Sequence, residues 1–188
     1  MAKQKQSQQP LTPAQIIKQR RRRLADRDDI FSFFYRLVLL IAMLVVMFGV
    51  VFGIMPMPND DMSPRISAGD LLLYYRLNQE WNNGDVMVLQ KDGKRYVARI
   101  VARGGDTVEI TEDATLKVND STVVENDIYY STPQYEESSV TYPLTLAEGE
   151  FFVLCDFREG AKDSRYFGPV SQEEILGKVI TVVRRSGL

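Results

Sequence analysis

Residues that could do chemistry are concentrated in three polar segments of the sequence, 61–70, 96–106 and 155–165. The chain has no histidine, which excludes imidazole acid–base catalysis and histidine-ligated metal sites. A serine nucleophile would therefore need a neutral lysine amine beside it, with the pKa of that amine lowered by burial. Ser63 and Ser67 have no lysine near them in the sequence, so we interpret them as turn or surface hydroxyls.

The order and spacing of the three segments resemble the conserved boxes of type I signal peptidases, the S26 family of membrane-bound serine peptidases. That family has Ser-Met-x-Pro-Thr-Leu where this chain has Asp61-Met62-Ser63-Pro64-Arg65-Ile66, and Lys-Arg where it has Ala98-Arg99. The third box, Gly-Asp-Asn followed by Ser-x-Asp-Ser-Arg, corresponds to residues 155–165. The resemblance covers roughly residues 31–188 and is densest in the third box.

The resemblance implies that the catalytic groups are missing. It assigns Asp61 to the nucleophile position, Ala98 to the general-base position and Ala161 to the position of the serine that orients the lysine. Arg99 cannot replace the base, since a guanidinium stays protonated. A carboxylate attacking an amide would have to form an anhydride, which is strongly uphill compared with an ester. We therefore expect no signal-peptide cleavage by the family's dyad.

Two enzymatic alternatives remain beside this interpretation. Asp60 and Asp61 could share a proton as an aspartic dyad, but neighbouring residues of an extended segment point to opposite faces. A peptidase with another rearranged catalytic group is the second alternative. A further, non-enzymatic hypothesis is a regulator that competes with active signal peptidase for preproteins.

The resemblance also implies a peptide cleft and a structural loop. The cleft is expected between the Asp61 segment, the strand at 96–99 and the region 129–141. Its candidate binding residues are Asn59, Asp61, Met62, Pro64, Tyr96, Val97, Arg99 and Asp156. The candidate structural residues are Asp163, Ser164, Arg165 and Gly168. We expect a buried Asp156–Arg165 charge pair, a salt bridge from Asp61 to Arg65, and added bulk at the site floor from Cys155 and Phe157.

Within that family, the chain resembles the catalytically inactive signal peptidase-like subgroup encoded in pilus gene clusters of Gram-positive cocci. This implies a non-catalytic assembly factor that acts with pilin subunits and a pilus sortase at the membrane. No cofactor, metal or nucleic-acid partner is expected, and the oligomeric state is left open. The single cysteine excludes an intramolecular disulfide.

The charge distribution and one apolar run predict a single-pass membrane protein. Residues 1–36 hold nine lysines and arginines against three aspartates, whereas the remainder holds 14 basic and 22 acidic residues. The uncharged stretch 37–59 is long enough to span a bilayer. Basic residues before a span favour a cytoplasmic N-terminus and place the rest outside the cell. A buried core helix is the alternative, and a cleaved signal fits poorly because Met-Pro-Met-Pro follows the run.

Beyond residue 60 the sequence predicts an antiparallel, mainly β fold closed as a barrel or sandwich. Short alternating runs predict the strands, and the pairs Asn83-Gly84, Asp92-Gly93 and Asn119-Asp120 predict turns. Strands are predicted at 71–75, 85–89, 95–101, 107–111, 115–118, 121–124, 150–155 and 179–183, with a helical turn at 172–176. The predicted parts are a basic cytoplasmic segment 1–36, a transmembrane helix 37–55 and an extracellular domain 56–188, with a smaller β subregion inserted at about 111–146.

Overall fold

The computed structural model describes residues 13–125, 128, 130–135, 138 and 140–185, with the backbone alone for 18–26. Part of the topology prediction depends on the cluster Arg20–Arg23, whose side chains are therefore not among those described. Contacts divide the chain into two units, Met1–Val46 and Met47–Leu188.

The first unit is one helix, α1, from Pro13 to Val46, and the chain continues as a π-helical turn over Met47–Val51. Residues Arg27–Val51 form a stretch of 25 residues with a mean hydropathy of 2.5, long and apolar enough to cross a membrane. The predicted transmembrane boundaries, 37–55, are wrong at their C-terminal end. Residues Phe52–Pro56 form a strand, β1, because they pair in register with the aromatic and aliphatic strand at Leu71–Tyr75.

The second unit is built on a seven-stranded antiparallel sheet in the order β1-β2-β11-β3-β4-β9-β10. Its strands are β1 (Phe52–Pro56), β2 (Leu71–Tyr75), β3 (Val86–Lys91), β4 (Lys94–Arg103), β9 (Glu150–Leu154), β10 (Val170–Ser171) and β11 (Ile175–Val183). A short helix, α2 (Ser164–Phe167), and a 3₁₀ turn (Gln172–Glu174) lie between β9 and β11.

The remaining described strands form a second sheet, and three of its four strands lie within residues 111–146. Its order is β7-β6-β5-β8, formed by β5 (Thr107–Ile110), β6 (Leu116–Val118), β7 (Ser121–Thr122) and β8 (Leu144–Thr145). There are two buried apolar clusters. One includes Met87, Val88 and Leu89 of the large sheet, and the other joins Val108 and Ile110 of the second sheet to Phe152 of β9. The mainly β, antiparallel fold predicted from the sequence is confirmed.

Two of the predicted turns adopt the backbone that their residues favour. Asp92 and Gly93 have φ values of 51° and 75°, and Asn119 and Asp120 have 51° and 62°. Positive φ at both central residues matches the right-handed twist of the flanking strands, so β3–β4 and β6–β7 are joined as tight hairpins. Short elements such as β8, β10 and α2 were missed, since two to four residues carry too little pattern.

Candidate functional site

The first box forms a compact loop after β1, fixed by its own aspartates. The Asp60 carboxylate accepts a hydrogen bond from the Ala68 amide at 2.8 Å, and its carbonyl accepts one from Ser63 at 2.9 Å. Asp70 closes the loop, because its carboxylate oxygens accept from the amides of Ser67 and Arg185, both at 3.0 Å. The loop thus presents Asp61 in a fixed main-chain position.

Asp61 is joined to the third box through the main chain. Its carbonyl accepts a hydrogen bond of 2.8 Å from the amide of Phe157, which follows Asp156 in that box. The sequence-predicted first and third segments are therefore adjacent in the fold. Phe157 in turn packs edge-on against Tyr130, with ring centroids 5.1 Å apart.

The Asp61 carboxylate is half-buried, and no cation is among the groups that shift its pKa. Its side-chain hydrogen-bond partner is the Asn59 amide at 2.6 Å. Burial raises the pKa of Asp61, the Asn59 hydrogen bond opposes that shift, and the nearby charges of Asp163 and Asp60 raise the pKa further. The expected salt bridge from Asp61 to Arg65 stays a prediction.

The position assigned to the base is part of the apolar core. Ala98 is fully buried on β4 and belongs to the same cluster as Met62, Cys155 and Ala161. The Cys155 thiol lies 3.6 Å from the carbonyl oxygen of Val97. Burial raises the pKa of this thiol well above its ordinary value, with the Asp163 charge contributing next, so the sulfur is a protonated packing group.

Ala161 lies beside a hydroxyl that the sequence analysis did not single out. The phenol of Tyr135 donates a 2.7 Å hydrogen bond to the Ala161 carbonyl, and the Arg165 guanidinium carbon lies 4.5 Å from the centre of the Tyr135 ring. The pKa of Tyr135 is raised, mainly by burial. Tyr135 is thus a neutral hydrogen-bond donor to the protein backbone and not a base.

The buried charge pairs differ from the expected Asp156–Arg165 pair. Asp156 accepts from Arg99 at 2.8 and 2.5 Å, and Arg165 donates to Asp163 at 2.9 and 2.8 Å. Asp163 also caps α2 by accepting from the Arg165 amide. Because Arg165 lies only two residues from Asp163, the start of α2 brings these two side chains together. Asp156 pairs instead with Arg99 on β4.

The remaining predicted structural residues lie in the same buried loop. The Ser164 hydroxyl accepts from the Val153 amide at 3.0 Å and joins α2 to β9. Gly168 ends α2 with φ 78°, a conformation that favours glycine. Their contacts fit the structural role that the sequence predicted.

Arg158 is a functional or structural residue that the sequence analysis missed. It is fully buried and donates to the Cys155 carbonyl at 2.6 Å, to the Thr132 hydroxyl at 2.8 Å and to both carboxylate oxygens of Glu125 at 2.7 Å. These bonds attach the chain at 125–132 to the third box. No local pattern indicates this, because Arg158 stands among polar and turn-forming residues, as surface arginines do.

The predicted binding residues divide by burial. Asn59 and Pro64 are exposed, and Asp61, Tyr96 and Arg99 are partly exposed. By contrast Met62, Val97 and Asp156 have at most 3% of their surface exposed, so their side chains do not line an open surface. Tyr96 packs on Phe167, with ring centroids 5.3 Å apart. A partner could reach the rim residues and main chain, but not these three side chains.

The side chains of Ser63, Ser67 and Asp60 make structural contacts, and none of these contacts is with a base. The hydroxyls of Ser63 and Ser67 lie 3.5 Å from each other. Asp60 and Asp61 are bonded to different groups, the Ala68 amide and the Asn59 side chain, and do not share a proton. This geometry disfavours both a serine nucleophile and an aspartic dyad.

Comparison with known proteins identifies the family. The sequence profile of the signal peptidase family, peptidase S26, matches residues 30–184. The chain belongs to this family.

Relatives of the S26 chain include both inactive and active proteins. Inactive signal peptidase IA of Staphylococcus aureus (strain N315) is 25% identical over 155 residues, which are 77% of this chain and 87% of the relative. Signal peptidase I of Bacillus licheniformis is 26% identical over 164 residues, 80% of this chain and 87% of that protein. The crystal structure of a signal peptidase I from Enterococcus faecalis V583 aligns with a TM-score of 0.46 and 31% identity, over 55% of this chain and 98% of that one.

The family expected from the sequence is thus confirmed. The inactive Staphylococcus relatives support a non-catalytic S26 protein. The burial of Ala98 and the Asn59 amide beside Asp61 agree with that conclusion.

Proposed function

We propose that this S26 protein is a non-catalytic, membrane-anchored assembly factor that holds pilin subunits for a pilus sortase. The observation that supports this proposal most is the chemistry beside Asp61. The side-chain amide of Asn59 donates to Asp61, and the position assigned to the base holds a fully buried Ala98. A Ser/Lys peptidase needs a hydroxyl and a neutral amine at these two positions. What the chain retains is the buried frame around them.

The retained frame supports a binding role. Asp163, Ser164 and Arg165 are fully buried, and Arg99 and Asp156 hold β4 against the third box. Removing one partner of a buried ion pair costs about 3–5 kcal/mol, so these residues are kept by the fold even without catalysis. The resemblance to the inactive subgroup of pilus gene clusters supplies pilin and sortase as the proposed partners.

The first half of β4 supports binding by strand addition. β9 pairs with β4 from Arg99 to Arg103, whereas Lys94–Ala98 pair with β3 on the other side. Among the described strands, Tyr96 and Val97 therefore have no strand partner on their second edge, although the Cys155 thiol lies 3.6 Å from the Val97 carbonyl oxygen. An extended peptide could add there through main-chain hydrogen bonds, with Asn59, Asp61 and Pro64 at the rim.

A cleavage assay separates binding from catalysis. Purified full-length protein is incubated with a signal-peptide substrate, beside the Asp61→Ala variant and an active signal peptidase I. We expect product from the active enzyme alone. Turnover that Asp61→Ala abolishes would establish the rearranged peptidase, and turnover that survives it would place the catalytic group elsewhere; either overturns the proposal.

Restoring the two catalytic side chains tests how far the site has changed. We expect Asp61→Ser with Ala98→Lys to remain inactive, because Ala161 offers no orienting hydroxyl and a lysine at 98 would overpack the buried core to which Ala98 belongs. The same assay measures it. Robust cleavage would show that the other departures from the family boxes are unimportant.

Pilus polymer ladders from cells test the assembly role. We expect loss of the high-molecular-weight ladder in cells without the protein, near-normal ladders with Asp61→Ala, and weakened ladders with Val97→Trp or Tyr96→Ala. Membrane levels and thermal unfolding of each variant control for misfolding. Normal ladders without the protein would end the pilus proposal, whereas loss of the ladder in folded Asp61→Ala would assign Asp61 a direct contact.

A further inference from the structure

A polar cavity lies at the end of β4, away from the candidate site. It has a volume of about 540 Å³ and is lined by the loop before β3, the end of β4, the turn before β9 and the 3₁₀ turn. Arg103, in its wall, is five residues beyond Ala98 on β4, which is roughly 16 Å at the usual rise of a strand. None of its lining residues belongs to the site around Asp61, so the two places are separate.

Main-chain hydrogen bonds fix the walls of this cavity. The turn before β9 is closed by the Glu150 amide, which donates to the Ala147 carbonyl at 3.0 Å. The Gln172 amide donates to the Gly149 carbonyl at 3.0 Å and joins this turn to the 3₁₀ turn. The cavity is therefore preformed, as the binding sites of small ligands commonly are.

Charges of both signs line the cavity without pairing with one another. Arg103, Glu80 and Glu148 are exposed, and none of the three has an ion-pair partner among the described residues. Nη1 of Arg103 donates to the Trp81 carbonyl at 3.2 Å, which leaves Nε and Nη2 as donors for another molecule. The Gln172 side chain adds an amide that can both donate and accept.

A buried donor also lies in the wall of the cavity. Trp81 is 7% exposed and packs on Phe151, with ring centroids 6.0 Å apart. Its indole N–H has no hydrogen-bond partner among the residues that the structure describes. Buried donors without an acceptor are rare in folded proteins. The polar groups of this corner are therefore not satisfied by the described chain alone.

The charge pattern selects the class of ligand. A purely anionic ligand would meet Glu80 and Glu148, and a purely cationic one would meet Arg103, so like charges would oppose each. A ligand with separate carboxylate and ammonium groups can pair with both signs. The planar guanidinium binds a carboxylate through two parallel hydrogen bonds. A peptide also brings carbonyl and amide groups that match an amide side chain.

We propose that this cavity binds a short zwitterionic peptide, with Arg103 on its carboxylate and Glu80 and Glu148 on its ammonium group. The inference goes beyond the proposed assembly role and does not depend on it, because the cavity shares no residue with the cleft around Asp61.

The chain supplies its own reporter for a test. Trp81 is the only tryptophan of the sequence, so tryptophan fluorescence reports on this cavity. Full-length protein in detergent is titrated with trialanine, with its N-acetylated form, with its C-terminal amide and with the form blocked at both ends. We expect trialanine to change the emission saturably, and each block to weaken binding by about two- to fivefold, the range of exposed ion pairs.

Variants that neutralise one charge assign each contact. We expect R103Q to bind trialanine and its amide equally, and the double variant E80Q/E148Q to bind trialanine and its acetylated form equally. R95Q and E112Q neutralise exposed groups outside the cavity and should leave both preferences unchanged. R103K, which keeps the charge without the planar fork, should retain part of the preference for the free carboxylate.

Equal affinity for all four peptides would overturn the proposal even if a variant failed to fold, and so would the absence of a saturable change in emission. Preferences that persist in folded R103Q and E80Q/E148Q would also overturn it, because the charges would then act elsewhere. Tighter binding of N-acetylglucosamine or inorganic phosphate would replace it with a saccharide or anion site. The readout needs no pilin or sortase, so its failure is distinguishable from failure of the assembly role.

Discussion

At the residue scale, the charged side chains of the site stabilise the fold. The resemblance to the family would assign this site to catalysis. Arg99 with Asp156 and Arg165 with Asp163 are paired at 2.8 Å or less in at least one contact each. Asp61 is the exception, since Asn59 is its side-chain partner and burial opposes its charge. A carboxylate in this state is tolerated by the fold without stabilising it.

Asp61→Asn is expected to raise the free energy of unfolding at neutral pH. The pKa of Asp61 is raised in the folded state, so its contribution to stability is present below the unfolded pKa of about 3.9 and is lost as pH rises through the folded pKa. An asparagine, which keeps a hydrogen-bond acceptor for Asn59, avoids that loss. Denaturant unfolding from about pH 3 to pH 7 should show the variant and the original protein converging at low pH.

A variant that is less stable at pH 7 than the original would contradict this prediction. It would mean that the Asp61 carboxylate has a stabilising cationic partner in solution. Glu112→Gln, which neutralises an exposed carboxylate outside this loop, is the control.

Asp163→Asn should lower the free energy of unfolding by about 3–5 kcal/mol, because it leaves the fully buried Arg165 without its counter-charge. Glu109→Gln breaks a partly exposed contact of 3.7 Å to Lys117 and should cost about 0–1 kcal/mol. Thermal and denaturant unfolding of both variants measure the difference. Equal effects would show that the third-box pair is no more important than a surface pair.

At the element scale, local sequence predicted the hairpins but not their long-range partners. Asn119-Asp120 predicts its turn because both residues tolerate positive φ and the signal lies within four residues. Arg158 pairs with Glu125, 33 residues away, and no local pattern selects that partner. Strand β1 was missed because Phe52–Pro56 follows an apolar helix without a polar break, so composition alone extends the helix into it.

The same reasoning explains how much of the site was predicted. The three boxes were located, and Phe157 joins the first to the third as expected of one site. The pairing of Asp156 was mispredicted, because the spacing of the boxes does not show that α2 begins at Ser164 and brings Arg165 back onto Asp163. Burial of Met62 and Val97 likewise depends on sheet packing, which the spacing of the three boxes in the sequence does not predict.

Gly53→Ala should disrupt the β1–β2 pair. A Cβ at Gly53 would lie 2.1 Å from the Tyr74 ring, and Tyr74 is 2% exposed and cannot move away. Overpacking of this kind costs about 1–3 kcal/mol. Gly49→Ala, with no atom within 4 Å of the added Cβ, is the control.

Hydrogen exchange of the β1 and β2 amides measures the effect of Gly53→Ala. We expect faster exchange at Leu72 and Tyr74 in this variant and no change in Gly49→Ala. Unchanged protection in both would show that Tyr74 adapts and that the close approach does not limit this position.

At the scale of the whole molecule, a basic N-terminal segment precedes one apolar stretch in the sequence, and an acidic body follows it. Residues 1–36 have a net charge of +6 and the remainder −8. The positive-inside tendency favours an N-terminus in the cytoplasm and a β domain outside the cell. The described helix is long enough for one crossing, Arg27–Val51.

Protease added to cells stripped of their wall should digest the chain beyond residue 60 and leave a tag at the N-terminus intact. The physical basis is the cost of moving the basic flank across the membrane. A cytoplasmic protein serves as the control for cell lysis. Protection of the β domain, with digestion of the N-terminal tag, would reverse the proposed topology.

The buried ion pairs of the third box have an evolutionary consequence. Selection for a folded protein is enough to preserve Asp163, Ser164 and Arg165, whether or not any peptide bond is cut. A sequence profile that relies on such residues therefore identifies common ancestry and a stable fold, and it does not show catalytic activity. Covalent probes that acylate an active serine should label active relatives in a mixed proteome and leave this chain unmodified, so reagent chemistry can sort family members that sequence comparison groups together.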